Sequence, residues 1–116
     1  MIVCAVDDLI FSIKISTAAK QLGVAIYFER ARDNVLETVR EKRPSLVIFD
    51  LNSTRLAPMV AIAAIKADPA LQQVRTLGYV SHVDSDTIEA ARQAGVDQVL
   101  ARSAFSDRLG EILTSA

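Results

Sequence analysis

Apolar, β-branched runs alternate with stretches of helical period along the whole chain. Ile2-Val3-Cys4-Ala5-Val6 is nearly all apolar, as a strand covered on both faces requires, and it stops at Asp7-Asp8. From Leu9 to Leu22 the residues Phe11, Ile15, Ala18, Ala19 and Leu22 recur at helical spacing, and Gly23 offers a left-handed stop. Val24 to Phe28 predicts a second strand, and Val35, Leu36 and Val39 form the stripe of a second helix that Pro44 ends. Leu46-Val47-Ile48-Phe49 is the most strongly apolar strand and ends at Asp50. A third helix opens at Pro58, carries Val60, Ile62 and Ile65, and breaks at Asp68-Pro69. Thr76 to Val80 predicts a fourth strand ending at Ser81. Ser85 or Asp86 is the expected cap of a fourth helix, with Ile88, Ala91 and Ala94 facing inward and Gly95 as its stop. Val96 to Ala101 is a weaker fifth strand, interrupted by Asp97 and Gln98, and Ser106 is the expected cap of a last helix carrying Leu109, Ile112 and Leu113.

Strict strand-helix alternation predicts an α/β, doubly wound parallel sheet with right-handed crossovers and helices on both faces. No Gly/Ser linker or low-complexity stretch divides the chain, so one domain over residues 1–116 is expected. A domain of this size buries about two thirds of its unfolded surface, enough for one core without metal or disulfide staples. The charge balance is 13 Lys+Arg against 14 Asp+Glu, which argues against nucleic acid or an anionic membrane as partner. Cys4 is the single cysteine and His82 the single histidine, so neither a disulfide nor a zinc cluster is available. No apolar stretch approaches the roughly 18 residues of a membrane span and no basic leader precedes the first strand, so a reducing, cytoplasmic setting is expected.

In open α/β sheets, ligands bind beyond the carboxyl ends of the strands. Those ends carry Asp7-Asp8, Asp50-Leu51-Asn52, Ser81-His82 and Arg102-Ser103. Carboxylates crowded on one rim repel, so one must be protonated or a cation must neutralise them. Mg²⁺ suits an oxygen-only donor set and leaves a position for a phosphoryl oxygen. A carboxylate beside it can act as nucleophile toward phosphorus, and Asp50 is best placed for that role.

These residues resemble the receiver domains of bacterial two-component response regulators, including the single-domain chemotaxis type, over essentially the whole chain. The likeness is carried by Asp7-Asp8, by Leu46-Val47-Ile48-Phe49-Asp50-Leu51-Asn52, by Ser81, by Ala94-Gly95-Val96-Asp97 and by a cation at Arg102. It implies a (βα)5 flavodoxin-like fold of strand order 2-1-3-4-5. It also implies phosphoryl transfer to Asp50 from a histidine kinase or phosphotransfer protein, and output through a downstream protein target. In that family Asp8 and Asp50 would ligate Mg²⁺ by side chain, Asn52 by its backbone carbonyl and Asp7 through water. Ser81 and Arg102 would sense the phosphoryl group. Such a domain is a signalling module rather than an enzyme.

The departures are specific. Arg102 stands where the family has lysine, and a planar fork is not equivalent to a compact ammonium. Ser103 replaces the proline of a cis peptide, so that bond is expected to be trans. His82 follows Ser81 where a small residue is usual, and is expected to hinder phosphodonor access. Ser53-Thr54-Arg55-Leu56-Ala57-Pro58 replaces the usual turn, and Val99 replaces the aromatic switch of strand five. Two roles are open to Arg102: sensing phosphate, or pairing with an acid and neutralising the rim without phosphate. Asp7 or Asp8 could equally cap the first helix. The alternative functions are therefore a phosphorylation-independent pseudo-receiver used as a constitutive docking module, and a small Mg²⁺-dependent phosphatase on the same acids.

Overall fold

The computed structural model describes residues 1–81 and 84–116. The expectations placed on His82 lie outside the described residues. Strands β1 (Ile2–Ala5), β2 (Ile26–Phe28), β3 (Leu46–Asp50), β4 (Arg75–Val80) and β5 (Gln98–Ala101) form one sheet in the order β2-β1-β3-β4-β5. Every pairing is parallel, with Cys4 opposite Ile48, Ile48 opposite Leu77 and Asp50 opposite Tyr79. The doubly wound, flavodoxin-like arrangement is the predicted one.

Helices α1 (Leu9–Leu22), α2 (Val35–Lys42), α3 (Pro58–Ala67), α4 (Ser85–Ala94), α5 (Arg102–Asp107) and α6 (Leu109–Thr114) cover the two faces. Side chains alternate across a strand. Val3, Val47 and Phe49 therefore pack with Val39, Ile62 and Ile65 under α2, α3 and α4. Ile2, Cys4, Ile48 and Tyr79 pack on the other face with Phe11, Ile15, Phe105 and Ile112 of α1, α5 and α6. Asp50 follows the parity of Leu46 and Ile48, so its side chain leaves the sheet on the α1/α5 side. Gly78 in β4 allows a close approach: a Cβ there would fall 2.5 Å from the Leu51 side chain that follows Asp50.

Several boundaries differ from the sequence expectation, each for a local reason. Gly23 and Gly95 take left-handed backbones, and the next amides, Val24 and Val96, bond back to Ala19 and Ala91. Those residues close helices, so β2 begins at Ile26 and β5 at Gln98 rather than at Val24 and Val96. Asp84 caps α4 in place of Ser85 or Asp86, accepting from the Asp86 amide (3.0 Å) and the Thr87 hydroxyl (2.8 Å). Arg43, at φ 45°, ends α2 one residue before Pro44. Helical structure after β5 begins at Arg102, not Ser106, because Phe105 is drawn fully into the core, and the chain breaks at Arg108 before α6.

At the amino-terminal edge of the sheet, Asp97 ties three elements together. Its carboxylate accepts from the Lys66 ammonium of α3, from the Thr76 amide at 2.8 Å and from the Thr76 hydroxyl at 3.1 Å. Desolvation acts to raise the Asp97 carboxyl, but the Lys66 and Thr76 donors together outweigh it and hold it below its ordinary value. Such a group stabilises the fold above the usual carboxylate range and loses that contribution as the pH falls through its folded value. Asp97→Asn is expected to lower the melting temperature modestly at neutral pH, the pair being part-exposed. Melts over a pH series should show the difference from wild type closing in acid; a difference independent of pH would overturn this assignment.

Among the described residues, no helix is long and apolar enough to cross a membrane.

Candidate functional site

The carboxyl ends of β1 and β3 open into a cleft of about 290 Å³ lined by Asp7, Asp8, Asp50, Asn52, Thr54 and Arg55. β1 stops because charge follows its apolar run, and the chain turns into α1 at once. Asp8 caps that helix, its Oδ1 accepting from the Phe11 amide at 3.2 Å. The other oxygen, Oδ2, is 2.8 Å from Nη2 of Arg102. The capping reading and the ion-pair reading of this residue are therefore both realised.

Asp7 is held differently. Arg55 grips it as a fork, Nε to Oδ2 at 2.9 Å and Nη2 to Oδ1 at 2.6 Å. Hydrogen bonding to Arg55 holds the Asp7 carboxyl below its ordinary value. Asp50, 7% exposed, forms the floor. Its Oδ1 accepts from the Asn52 amide at 3.1 Å; among the described residues Oδ2 takes no hydrogen bond and no cation pairs with it. Burial pushes the Asp50 carboxyl up, the Asn52 amide and Arg102 work against that shift, and the nearby Asp8 charge adds to it.

The far wall comes from β4 and α5. Ser81 is joined to the β3 end by its amide, which donates to Asn52 Oδ1 at 2.6 Å, so Asn52 spans the two central strand ends. Arg102 Nη1 reaches the Ser81 hydroxyl at 3.4 Å, and the guanidinium lies 4.2 Å from the centre of the Phe11 ring. Phe11, Tyr79 and Phe105 make an aromatic cluster beneath it: Tyr79 stacks on Phe105 at 4.9 Å and Phe11 meets Tyr79 edge-on at 5.0 Å. The Tyr79 hydroxyl is fully buried without a hydrogen-bond partner among the described residues, and burial, with the Asp50 and Asp8 charges, keeps it protonated.

Asp7, Asp8, Asp50, Asn52, Ser81 and Arg102 thus share one rim, as the strand-end rule required. No cis peptide occurs among the described residues, and the Arg102–Ser103 bond is trans as expected. Arg102 contacts an acid and the Ser81 hydroxyl at once, so its two candidate roles share one position. The sequence reading missed Arg55. It treated 53–58 as a substituted turn, whereas a cation five residues beyond the acidic strand end was the available signal. It also missed the aromatic floor, since Tyr79 was read only as a strand position and Phe105 fell before the helix start expected at Ser106.

The donor set is oxygen-only and suits a hard divalent cation. Among the described residues, however, no group of three or more acidic, His or Cys side chains is gathered closely enough to hold one, and Asp7 and Asp8 are each paired with a guanidinium. The oxygen donors fit Mg²⁺ in chemistry, and two of the three acids are already paired with arginines.

No protein-family model matches the chain, and no curated protein matches it in sequence. Solved structures match it closely in fold. A response regulator from Hahella chejuensis superposes with a TM-score of 0.85 at 17% identity, over 97% of this chain and 91% of that one. The receiver domain of a sensor histidine kinase from Pseudomonas aeruginosa, with a magnesium ion coordinated in its active-site cleft, gives 0.84 at 18% identity, over 98% and 93%. The phosphorylated cyanobacterial phytochrome response regulator RcpA gives 0.81 at 20% identity, over 98% and 88%. The fold of this chain is the receiver fold.

Proposed function

We propose that this chain is a receiver-type signalling module that accepts a phosphoryl group on Asp50. The observation that carries the reading is the contrast among the three acids. Asp7 and Asp8 each hold a guanidinium, whereas Asp50 is buried at the end of the central strand with one oxygen unengaged. A desolvated carboxylate with no ion-pair partner and one oxygen open to a cleft is the nucleophile of the set.

When bound, Mg²⁺ would neutralise the non-bridging phosphoryl oxygens, held by Asp8 and Asp50 side chains, the Asn52 carbonyl and, through water, Asp7. Asp50 Oδ2 forms the new oxygen–phosphorus bond. The bond from phosphorus to the donor's imidazole nitrogen breaks, and its electron pair leaves with the imidazole. The Asn52 amide fixes Oδ1 and thereby aims Oδ2. Arg102, already beside Ser81, supplies a cation to the transferred group in place of lysine. The phosphodonor would be a histidine kinase or phosphotransfer protein, and the output a changed surface around β4, α4, β5 and α5 read by another protein.

A second reading is favoured by the same arginines: two of three acids are neutralised without metal, as a constitutive docking module would require. Intact mass after incubation with Mg²⁺ and acetyl phosphate separates the two. The first reading expects one added phosphoryl group. An unmodified chain beside a modified control receiver would overturn it in favour of the docking module.

A further inference from the structure

We infer that Arg55 is a tethered counter-cation for Asp7 that competes with the divalent metal and sets how much metal the cleft requires; this rests on the receiver reading above. Its fork occupies both Asp7 oxygens, at 2.6 and 2.9 Å. A metal that recruits Asp7, directly or through water, has to win those oxygens from the guanidinium.

The competitor is held in place by the loop that carries it. Arg32, from the turn after β2, donates Nε to the Arg55 carbonyl at 2.8 Å and Nη2 to the Thr54 carbonyl at 3.2 Å. The Ser53 hydroxyl accepts from the Leu56 amide at 3.3 Å, and the Ala57 amide bonds to the Thr54 carbonyl at 3.3 Å. Ala57 itself takes a left-handed backbone at φ 44°, a conformation that favours glycine. A backbone pinned on both sides keeps the guanidinium at high effective concentration over Asp7. Arg32 is thus a positioning residue, acting through the backbone of Thr54 and Arg55.

Arg102 on Asp8 differs in kind. It is stacked on Phe11 and touches Ser81, so it belongs to the wall of the site and stays near the phosphoryl position. Arg55 is more exposed, and among the described residues its guanidinium makes no hydrogen bond or ion pair except to Asp7. The cleft therefore has one built-in cation that is part of it and one that gates it.

The test is Mn²⁺ binding followed by water-proton relaxation at low ionic strength, with Mg²⁺ as competitor, on wild type, Arg55→Gln and Arg55→Gln/Asp50→Asn. Arg55→Gln is expected to bind metal roughly three- to tenfold more tightly, the range for removing an exposed but bidentate competitor. The double variant should lose that gain, placing it in the cleft. Equal affinity in wild type and Arg55→Gln, or a gain that survives Asp50→Asn, overturns the inference and leaves the receiver reading standing. Failure of both wild type and Arg55→Gln to bind metal at millimolar concentrations overturns the inference together with the metal-dependent reading.

Discussion

Phe105→Ala is expected to lower stability by about 3–5 kcal/mol, a fall in melting temperature of at least about 10 °C for a domain of this size. Phe105 is fully buried, stacks on Tyr79 with rings 9° from parallel, and meets Phe11 edge-on at 5.8 Å. Truncation forfeits the transfer free energy of the ring, two aromatic pairings and the packing of a cavity that two rigid rings cannot collapse into. The effect reaches the cleft, because Phe105 pins the helix that Arg102 opens while Phe11 is the ring on which Arg102 lies. Phe105→Leu should recover much of the loss. Thermal melts of the two variants check this: a fall of only a few degrees for Phe105→Ala would mean that the cluster does not anchor α5.

That cluster marks the boundary of what the chain's pattern discloses. The parallel sheet and the sharing of one rim by Asp7, Asp8, Asp50, Ser81 and Arg102 were legible, because apolar runs ending in polar residues define strand ends and parallel topology brings those ends together, whereas the strand order 2-1-3-4-5 came from the resemblance to receiver domains and not from the pattern. Helix ends were legible where glycine marks them, at Gly23 and Gly95, and not where Asp84 or Arg43 does the same work through a side chain or a left-handed backbone. Arg55 stayed hidden for a different reason. Which acid a loop cation meets depends on the path of the loop, and here that path is set by Arg32, a residue 22 and 23 positions away from the carbonyls it holds. Long-range side-chain to backbone contacts leave no periodic trace.

The hydroxyl of Tyr79 and the carboxylate of Asp50 show a common feature of this face. Both are polar groups buried at the paired register position of β4 and β3 with capacity left unmet. An unsatisfied buried polar group lowers stability, and such groups concentrate where a site is kept ready for a ligand. Function and stability therefore oppose each other at Asp50.

Asp50→Asn should make that opposition visible in two independent readouts. The first is chemical: the variant is expected to take up no phosphoryl mass from acetyl phosphate and Mg²⁺, because a neutral amide lacks the nucleophilic carboxylate oxygen. The second is thermodynamic: in the absence of metal the variant is expected to be more stable than wild type, by about 1 kcal/mol. Asn keeps an oxygen able to accept from the Asn52 amide, while the desolvated charge and its repulsion from Asp8 disappear. Persistence of the mass adduct would place the acceptor on another residue. A melting temperature below that of wild type would show that the Asp50 charge is compensated in the fold, and would remove the energetic basis for treating it as the poised member of the three acids.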